Sequence, residues 1–155
     1  TKNCDVIVSL IGHSRYSPKH LQTTAIRHML EAMETNGISR IISLTGTGVQ
    51  FDGDTPTAID KIANAIISRI DPNRIEDGKM HAEVLKNSHV DWTILRVLKL
   101  TNAAYEKKKV SMGIHSPAEM LTSRHRIAQA IVQLIEDKSF IRQAPIIIKE
   151  LHGRT

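Results

Sequence analysis

The chain has 155 residues, of which 41% are apolar and 24% charged, and a formal net charge of +5 at pH 7. This length suits one domain with a substantial core, and we predict a single domain over 1–155. Apolar runs fall short of the roughly 18 residues that a membrane helix needs, so no membrane association is expected. The one cysteine, Cys4, excludes an internal disulfide framework and favours a reducing, cytoplasmic location.

The positive charge raises the question of a nucleic-acid partner. The basic residues are scattered, and the densest run is only Lys107–Lys109. Aromatic residues make up 3% of the chain, too few for a base-stacking platform. No nucleic-acid partner is therefore expected. The modest positive charge fits the attraction of an anionic small molecule as well as it fits nucleic-acid binding.

The first third of the chain predicts a strand, a helix and a second strand. Cys4–Leu10 is a short, β-branched apolar run, typical of a buried strand. Ser17 followed by Pro18 predicts a helix N-terminus, and Gly37 predicts its end. Ile38–Leu44 is a second apolar run and predicts a second buried strand.

The middle of the chain predicts two further helices and a strand. Thr55 and Pro56 mark the start of a helix whose one face carries four isoleucines, Ile59, Ile62, Ile66 and Ile70. Asp71 and Pro72 start the next helix, which ends near Asn87. Trp92–Val97 predicts a third strand.

After a looser segment, Lys99–Leu121, a helix capped by Ser123 and a short strand at Pro145–Ile148 complete the alternation. Alternating strands and helices indicate an α/β fold with a mostly parallel sheet. The first strand is apolar on both faces, as in the interior of a sheet covered by helices on each side. Because little in the sequence covers it, we expect the fold to be incomplete in its N-terminal half.

The stretch SLTGTGV, Ser43–Val49, has the glycine spacing of half a phosphate loop. Gly46 and Gly48 form G-x-G, but Phe51 stands where a third glycine is needed, and Gly12 stands alone after its strand. The chain thus contains no complete phosphate loop, and the two glycines predict a tight turn at a strand end.

Several ordered segments resemble the later part of atypical short-chain dehydrogenase/reductases, in the NAD(P)H-binding, NmrA-like branch that includes flavin and biliverdin reductases. The segments are CDVIVSLIGH, RIISLTGTGV, KMHAEVLKNSHVDWTILRV and SRHRIAQAIVQLIED. The resemblance implies a Rossmann-like, doubly wound fold that lacks its N-terminal glycine-rich loop. It also implies NADP or NAD as the cofactor.

The resemblance further implies catalytic residues. Thr45 and Thr47 match the hydroxyl position of the superfamily, and Lys79 matches its lysine, which makes these three the candidate catalytic residues. Ile75 stands where the superfamily has its tyrosine acid, so reduction of a carbonyl by that acid is in doubt. Lys79 has an alternative reading as an ordinary lysine on a helix surface.

A second Y-x-x-x-K occurs at Tyr105 and Lys109. It follows the third strand in a loop, and we interpret it as a surface tyrosine beside a lysine run.

Cofactor contacts are implied for the ends of all three strands, at Ser9, Leu10, Ile11, Gly12, Leu44, Arg96, Val97 and Leu98. Val97 replaces the proline that usually follows the arginine in that family. For Arg96 an ion pair at the strand end is the alternative.

The histidines lack the spacing of metal ligands, and no metal site is expected. The leading hypothesis is an NAD(P)H-dependent reductase that transfers hydride to a flavin, a quinone or a similar conjugated acceptor, as a monomer or homodimer. One alternative is an NAD(P)-sensing regulator without turnover. Another is a chain that binds no dinucleotide on its own.

Overall fold

The computed structural model describes residues 4–14, 16–55, 58–104, 109–114 and 118–148. The main elements in chain order are β1 (Val6–Ser9), α1 (Leu21–Asn36), β2 (Arg40–Gly46), α2 (Ala58–Ile70), α3 (Pro72–Lys86) and β3 (Asp91–Val97). They are followed by β4 (Leu100–Thr101), β5 (Met112–Gly113), β6 (Thr122–Ser123), α4 (Arg124–Glu136), a 3₁₀ turn (Lys138–Phe140) and β7 (Ile146–Ile147). No helix in these ranges is long and apolar enough to cross a membrane.

The main sheet has five strands in the order β1-β2-β3-β7-β5. β1, β2, β3 and β7 run parallel, and only the short β5 runs antiparallel. β4 and β6, which border the looser segment, pair in a separate two-stranded sheet. The predicted α/β fold with a mostly parallel sheet is confirmed.

Apolar side chains cover both faces of this sheet. Neighbouring residues on β2 alternate between the two faces, so Ile41 belongs to one buried cluster and Ile42 to the other. The first cluster includes Ile26 of α1 and Leu85 of α3, whereas the second includes Leu134 of α4. Helices on both faces make the fold doubly wound, as predicted.

The start of α1 differs from the prediction. The helix begins at Leu21 and not at Ser17 and Pro18. The Ser17 hydroxyl accepts a hydrogen bond from the backbone N–H of Ser14 at 2.8 Å, so it closes the preceding turn instead of a helix. Gly37 ends the helix in the left-handed region, with φ of 66°, as predicted.

The capping predictions for the two later helices are confirmed. The side chain of Asp71 accepts from the backbone N–H of Arg74, with Pro72 in the first turn of α3. Ser123 accepts from the N–H of Arg126 at the start of α4. Both oxygens satisfy backbone donors that a helix cannot satisfy internally.

β1 is less buried than its composition predicts. In the described part of the chain it pairs only with β2, and Val8 is 37% exposed. Beside it, mostly apolar side chains of β1 and α1 line an open groove of about 570 Å³. The prediction of a buried strand is wrong for these residues because one edge of β1 carries no partner strand among them.

The isoleucine face of α2 lies on the surface. Ile62, Ile66 and Ile70 are each more than half exposed to solvent. The fourth isoleucine of the predicted face, Ile59, lies outside the side chains that the structure describes.

α3 approaches the end of β2 closely at Gly78. A Cβ atom at this position would lie 2.9 Å from Cγ2 of Val49 and 3.0 Å from Oγ1 of Thr45. An isolated glycine inside a helix costs about 1 kcal/mol relative to alanine, so a packing reason is expected for it. The close approach of α3 to β2 is that reason.

Gly78→Ala should therefore destabilise the chain by about 1 kcal/mol, because overpacking outweighs the gain in helix propensity. Chemical denaturation measures the change in the free energy of unfolding. Gly46→Ala is the control, since its Cβ would meet nothing closer than 4.0 Å. In a Val49→Ala background the cost of Gly78→Ala should shrink or reverse; an unchanged cost would show that Val49 is not the obstacle.

Candidate functional site

Three parallel strands end side by side at one edge of the sheet, which we call the carboxyl edge. Ser9 pairs with Ser43, and Thr45 and Gly46 pair with Arg96 and Val97. Most of the predicted site residues therefore lie together on β1, β2, β3 and the turns that follow them. In open α/β sheets, ligands bind outside the carboxyl ends of the strands.

The backbone at the carboxyl edge borders open space. A Cβ atom on Gly12 would meet no atom within 4 Å, and one on Gly46 would meet only backbone atoms at 4.0 Å. Leu10 is exposed between β1 and Gly12. At these positions a ligand could approach the main chain without displacing a side chain.

The two candidate threonines have different environments. Thr45 is 5% exposed, and its hydroxyl packs against Gly78. Thr47 is half-buried just beyond the strand, where its N–H donates to the carbonyl of Val97 at 3.1 Å. The carbonyl of Gly46 accepts from the N–H of Val49, which confirms the predicted tight turn. Of the two residues, Thr47 is the more exposed.

Lys79 lies on the exposed part of α3, directly after the glycine that contacts Thr45. Its catalytic role stays a prediction. Leu98 is half-buried after β3. Tyr105 lies outside the described residues.

Arg96 makes an ion pair at the strand end, which is the predicted alternative to cofactor contact for this residue. The side chain is 3% exposed, and its guanidinium binds both carboxylate oxygens of Asp54, with Nη2 2.8 Å from Oδ1. Nε and Nη1 also donate to the carbonyls of Ala144 and Val49. The guanidinium also lies 5.1 Å from the ring centroid of Phe51. Arg96 thus holds the turn after β2 against the end of β3.

A buried carboxylate, Asp77 of α3, closes the N-terminus of α1. It accepts hydrogen bonds from the N–H groups of Gln22 at 2.7 Å and Thr23 at 3.0 Å, and from the Thr23 hydroxyl at 2.5 Å. Nε2 of His13, in the loop after β1, lies 2.6 Å from Oδ2. Burial opposes ionisation, but these hydrogen bonds outweigh it and hold the pKa of Asp77 below its ordinary value.

This contact limits where phosphates could bind. A helix N-terminus is a ready anion site, but that of α1 is already occupied by the carboxylate of Asp77. At the starts of α3 and α4, Asp71 and Ser123 each accept one backbone N–H, from Arg74 and Arg126. The first turn of α1 is therefore occupied by a carboxylate, in agreement with the absence of a phosphate loop in the sequence.

The side chain of Gln22 joins two of the strand ends. Its amide donates to the carbonyl of Ile11 at 2.8 Å and lies 3.4 Å from the carbonyl of Leu44. Both residues are predicted cofactor contacts, whereas Gln22 itself has no signal in the sequence.

A Ser-His-Asp set also lies near the carboxyl edge. Nε2 of His81 is 3.0 Å from the hydroxyl of Ser43, and Asp77 precedes His81 by one helical turn. All three are buried, and the hydrogen bonds of Asp77 go to α1 and His13. The set lacks the substrate access and the base-orienting contact that nucleophilic catalysis needs. Burial instead lowers the pKa of His81 to about 4.

A sequence profile described as NAD(P)H-binding matches residues 1–138. The chain belongs to the NAD(P)H-binding family. The cofactor prediction, NADP or NAD, is thereby confirmed at the level of the family. No curated protein matches the chain by sequence.

Solved structures support the fold of this chain. A short-chain dehydrogenase/reductase from Veillonella parvula, in complex with NADP, has a TM-score of 0.70 at 18% identity and covers 96% of this chain and 64% of its own. ChuY, an anaerobillin reductase from Escherichia coli O157:H7, has a TM-score of 0.69 at 19% identity, with coverages of 97% and 66%. SP1627 of Streptococcus pneumoniae, provisionally named an NADH-flavin reductase, has a TM-score of 0.70 at 12% identity, and the match covers 94% of this chain and 72% of SP1627.

The chain therefore spans less than two thirds of the length of the first two of these proteins. The profile confirms the predicted membership of the NAD(P)H-binding family, and the matched structures show that the chain shares the fold of a short-chain dehydrogenase/reductase. The individual site residues stay predictions.

Asp77, Gln22 and His13 carry no local signal in the sequence, since their contacts join positions that are 11 to 64 residues apart. Gly78 alone carried a signal, as a glycine inside a helical pattern. Among the described residues, no three His, Cys, Asp or Glu side chains form a group that could hold a metal ion.

His81 predicts a pH dependence of stability. Its pKa falls from 6.5 in the unfolded chain to about 4 in the fold, so the unfolded chain binds the extra proton between these values. The free energy of unfolding should then decrease by up to ~1.4 kcal/mol per pH unit as the pH falls through this window. Asp77 adds to the loss of stability only at lower pH. Its pKa in the fold lies below the ordinary value of 3.8, so the unfolded chain takes up this proton first only near and below that value.

Urea denaturation between pH 7 and pH 4.5 measures this slope. His81→Gln should flatten it, whereas the exposed His89→Gln should leave it unchanged. Equal slopes in the chain and in His81→Gln would mean that His81 is not buried in its neutral form.

Proposed function

We propose that the chain is the substrate side of an NAD(P)H-dependent oxidoreductase that transfers hydride to a flat conjugated acceptor, such as a flavin or a quinone. The observation that carries this proposal is the open backbone at Gly12 and Gly46, on neighbouring strand ends of a chain in the NAD(P)H-binding family. A small-molecule acceptor is the partner, and the cytoplasm is the location that the single thiol favours.

The residues of the carboxyl edge have separate roles in this proposal. Gly12 lets the main chain approach the adenosine side of the dinucleotide. Thr47 and Lys79 face the reacting side, where the hydroxyl orients the acceptor and the ammonium binds the ribose. The nicotinamide, when bound, supplies the hydride, and the protein holds the two rings together and excludes water.

The choice of acceptor follows from what stands in place of the tyrosine. Ile75 provides no proton, and the hydroxyl of Thr45 is buried against Gly78. A conjugated ring that accepts hydride needs less help from a protein acid than an isolated carbonyl does. Two relatives named as reductases of an anaerobillin and of a flavin agree with this class of acceptor.

The isoleucine in place of the tyrosine acid and the buried hydroxyl of Thr45 also favour a second function. This function is an NAD(P)-sensing regulator that binds the dinucleotide without turnover. The two functions differ in one measurable property, which is the oxidation of bound NADPH by an added acceptor.

Dinucleotide binding can be measured through Trp92, the only tryptophan of the chain. Energy transfer from Trp92 to the dihydronicotinamide should quench its emission on titration with NADPH. Gly12→Ala should weaken binding by about tenfold, because the added methyl group meets the ligand and not the protein. Its free energy of unfolding should stay within about 0.5 kcal/mol of the parent. Equal NADPH affinity in the variant would remove Gly12 from the site.

Turnover tests the enzyme against the regulator. The chain should oxidise NADPH with FMN or a quinone, and Thr47→Val and Lys79→Met should each lower kcat by about tenfold or more. The exposed Lys138→Met is the matched control and should retain the parent rate. NADPH binding without turnover on either acceptor would reject the enzyme and support the regulator.

A further inference from the structure

We infer that Gln22 is a positioning residue that sets the gap between the ends of β1 and β2 and so prepares the backbone of Gly12 for the dinucleotide. This inference rests on the proposed function, because it names a residue that shapes the same site. Gln22 is not itself a candidate for contact with the ligand, since it is 7% exposed beneath the carboxyl edge.

The side-chain amide of Gln22 contacts the ends of both strands. Its Nε2 donates to the carbonyl of Ile11, after β1, at 2.8 Å and faces the carbonyl of Leu44, on β2, at 3.4 Å. One amide nitrogen thus joins two chain segments that are not consecutive along the backbone. The separation of the two carbonyls is fixed by the position of that nitrogen.

The main chain of Gln22 is itself held in place. Its N–H donates to Oδ2 of Asp77 at 2.7 Å, and the same oxygen lies 2.6 Å from Nε2 of His13. Gly12 therefore stands between two anchored neighbours, Ile11 on the Gln22 amide and His13 on the Asp77 carboxylate. The residue with open space beside it is the one between the two anchors.

Anchoring matters for affinity because a mobile loop must be ordered when a ligand binds to it. Ordering each freed group weakens binding by about twofold to tenfold in the dissociation constant. Removal of the amide also leaves the carbonyl of Ile11 without its donor, and that carbonyl then turns toward other partners. The expected result is weaker NADPH binding by a chain that remains folded.

If the role of Gln22 were merely structural, its loss should leave NADPH affinity unchanged. If Gln22 only satisfies buried carbonyls, its loss should affect stability alone, as the loss of a buried hydrogen bond elsewhere in the chain would. Thr93 of β3 offers the matched comparison. It is fully buried, and its hydroxyl donates to the carbonyl of Phe140 at 2.7 Å, a contact outside the Asp77 network.

The experiment compares Gln22→Met, which keeps length and shape, with Thr93→Val. Both variants should unfold at a lower urea concentration than the parent, because each lacks a buried donor to a backbone carbonyl. NADPH affinity, followed through Trp92 emission at a temperature where each variant is fully folded, should fall about tenfold in Gln22→Met only. Gln22→Glu, which sets a carboxylate against two carbonyls, should bind NADPH at least as weakly.

The outcomes separate the two proposals. If the parent chain binds no NADPH, the proposed function fails and the inference fails with it. If the parent binds and Gln22→Met binds equally well, or if Thr93→Val weakens binding to the same extent, only the inference is overturned. Selective loss in Gln22→Met and Gln22→Glu supports it.

Discussion

The buried carboxylate of Asp77 is the constraint on which the carboxyl edge depends. It lies on α3, and its partners are the first turn of α1 and the loop after β1. An ionised carboxylate is stable without solvent only where several donors converge on it, and a helix N-terminus supplies such donors together with a favourable dipole. Three segments that are distant in sequence are therefore held at one point, and the loop that contains Gly12 takes its path from that point.

Two neighbouring features extend this constraint to the rest of the edge. Gly78, the residue after Asp77, lets α3 lie directly on Thr45 and Val49, so the end of β2 cannot move independently of the helix. Arg96 and Asp54 then hold the following turn against β3. The ends of β2 and β3 and the loop after β1 thus form an ordered main-chain edge, and a carboxylate occupies the first turn of α1.

The parts that the sequence predicted are those set by local physics. Short apolar runs placed β2 and β3, and Asp71 with Pro72 and Ser123 marked the starts of α3 and α4, because capping depends on residues within one turn. Local signals failed at Ser17, whose hydroxyl bonds the preceding turn, and at β1, whose burial depends on a partner strand. Arg96 shows the same limit, since only the partner from the turn, Asp54, decides between an ion pair and a free guanidinium.

The sequence by itself determined that this chain is α/β with a mostly parallel sheet, and its ordered segments pointed to the NAD(P)H-binding family. It also showed that SLTGTGV is a turn and not a phosphate loop, because glycine spacing is a local property. Only the tertiary structure decided that Thr45 is covered while Thr47 is more exposed, and that Asp77 and Gln22 organise the edge. Their partners lie 11 to 64 residues away. Hydrogen bonds of that range depend on how helices pack on the sheet, and no local pattern encodes them.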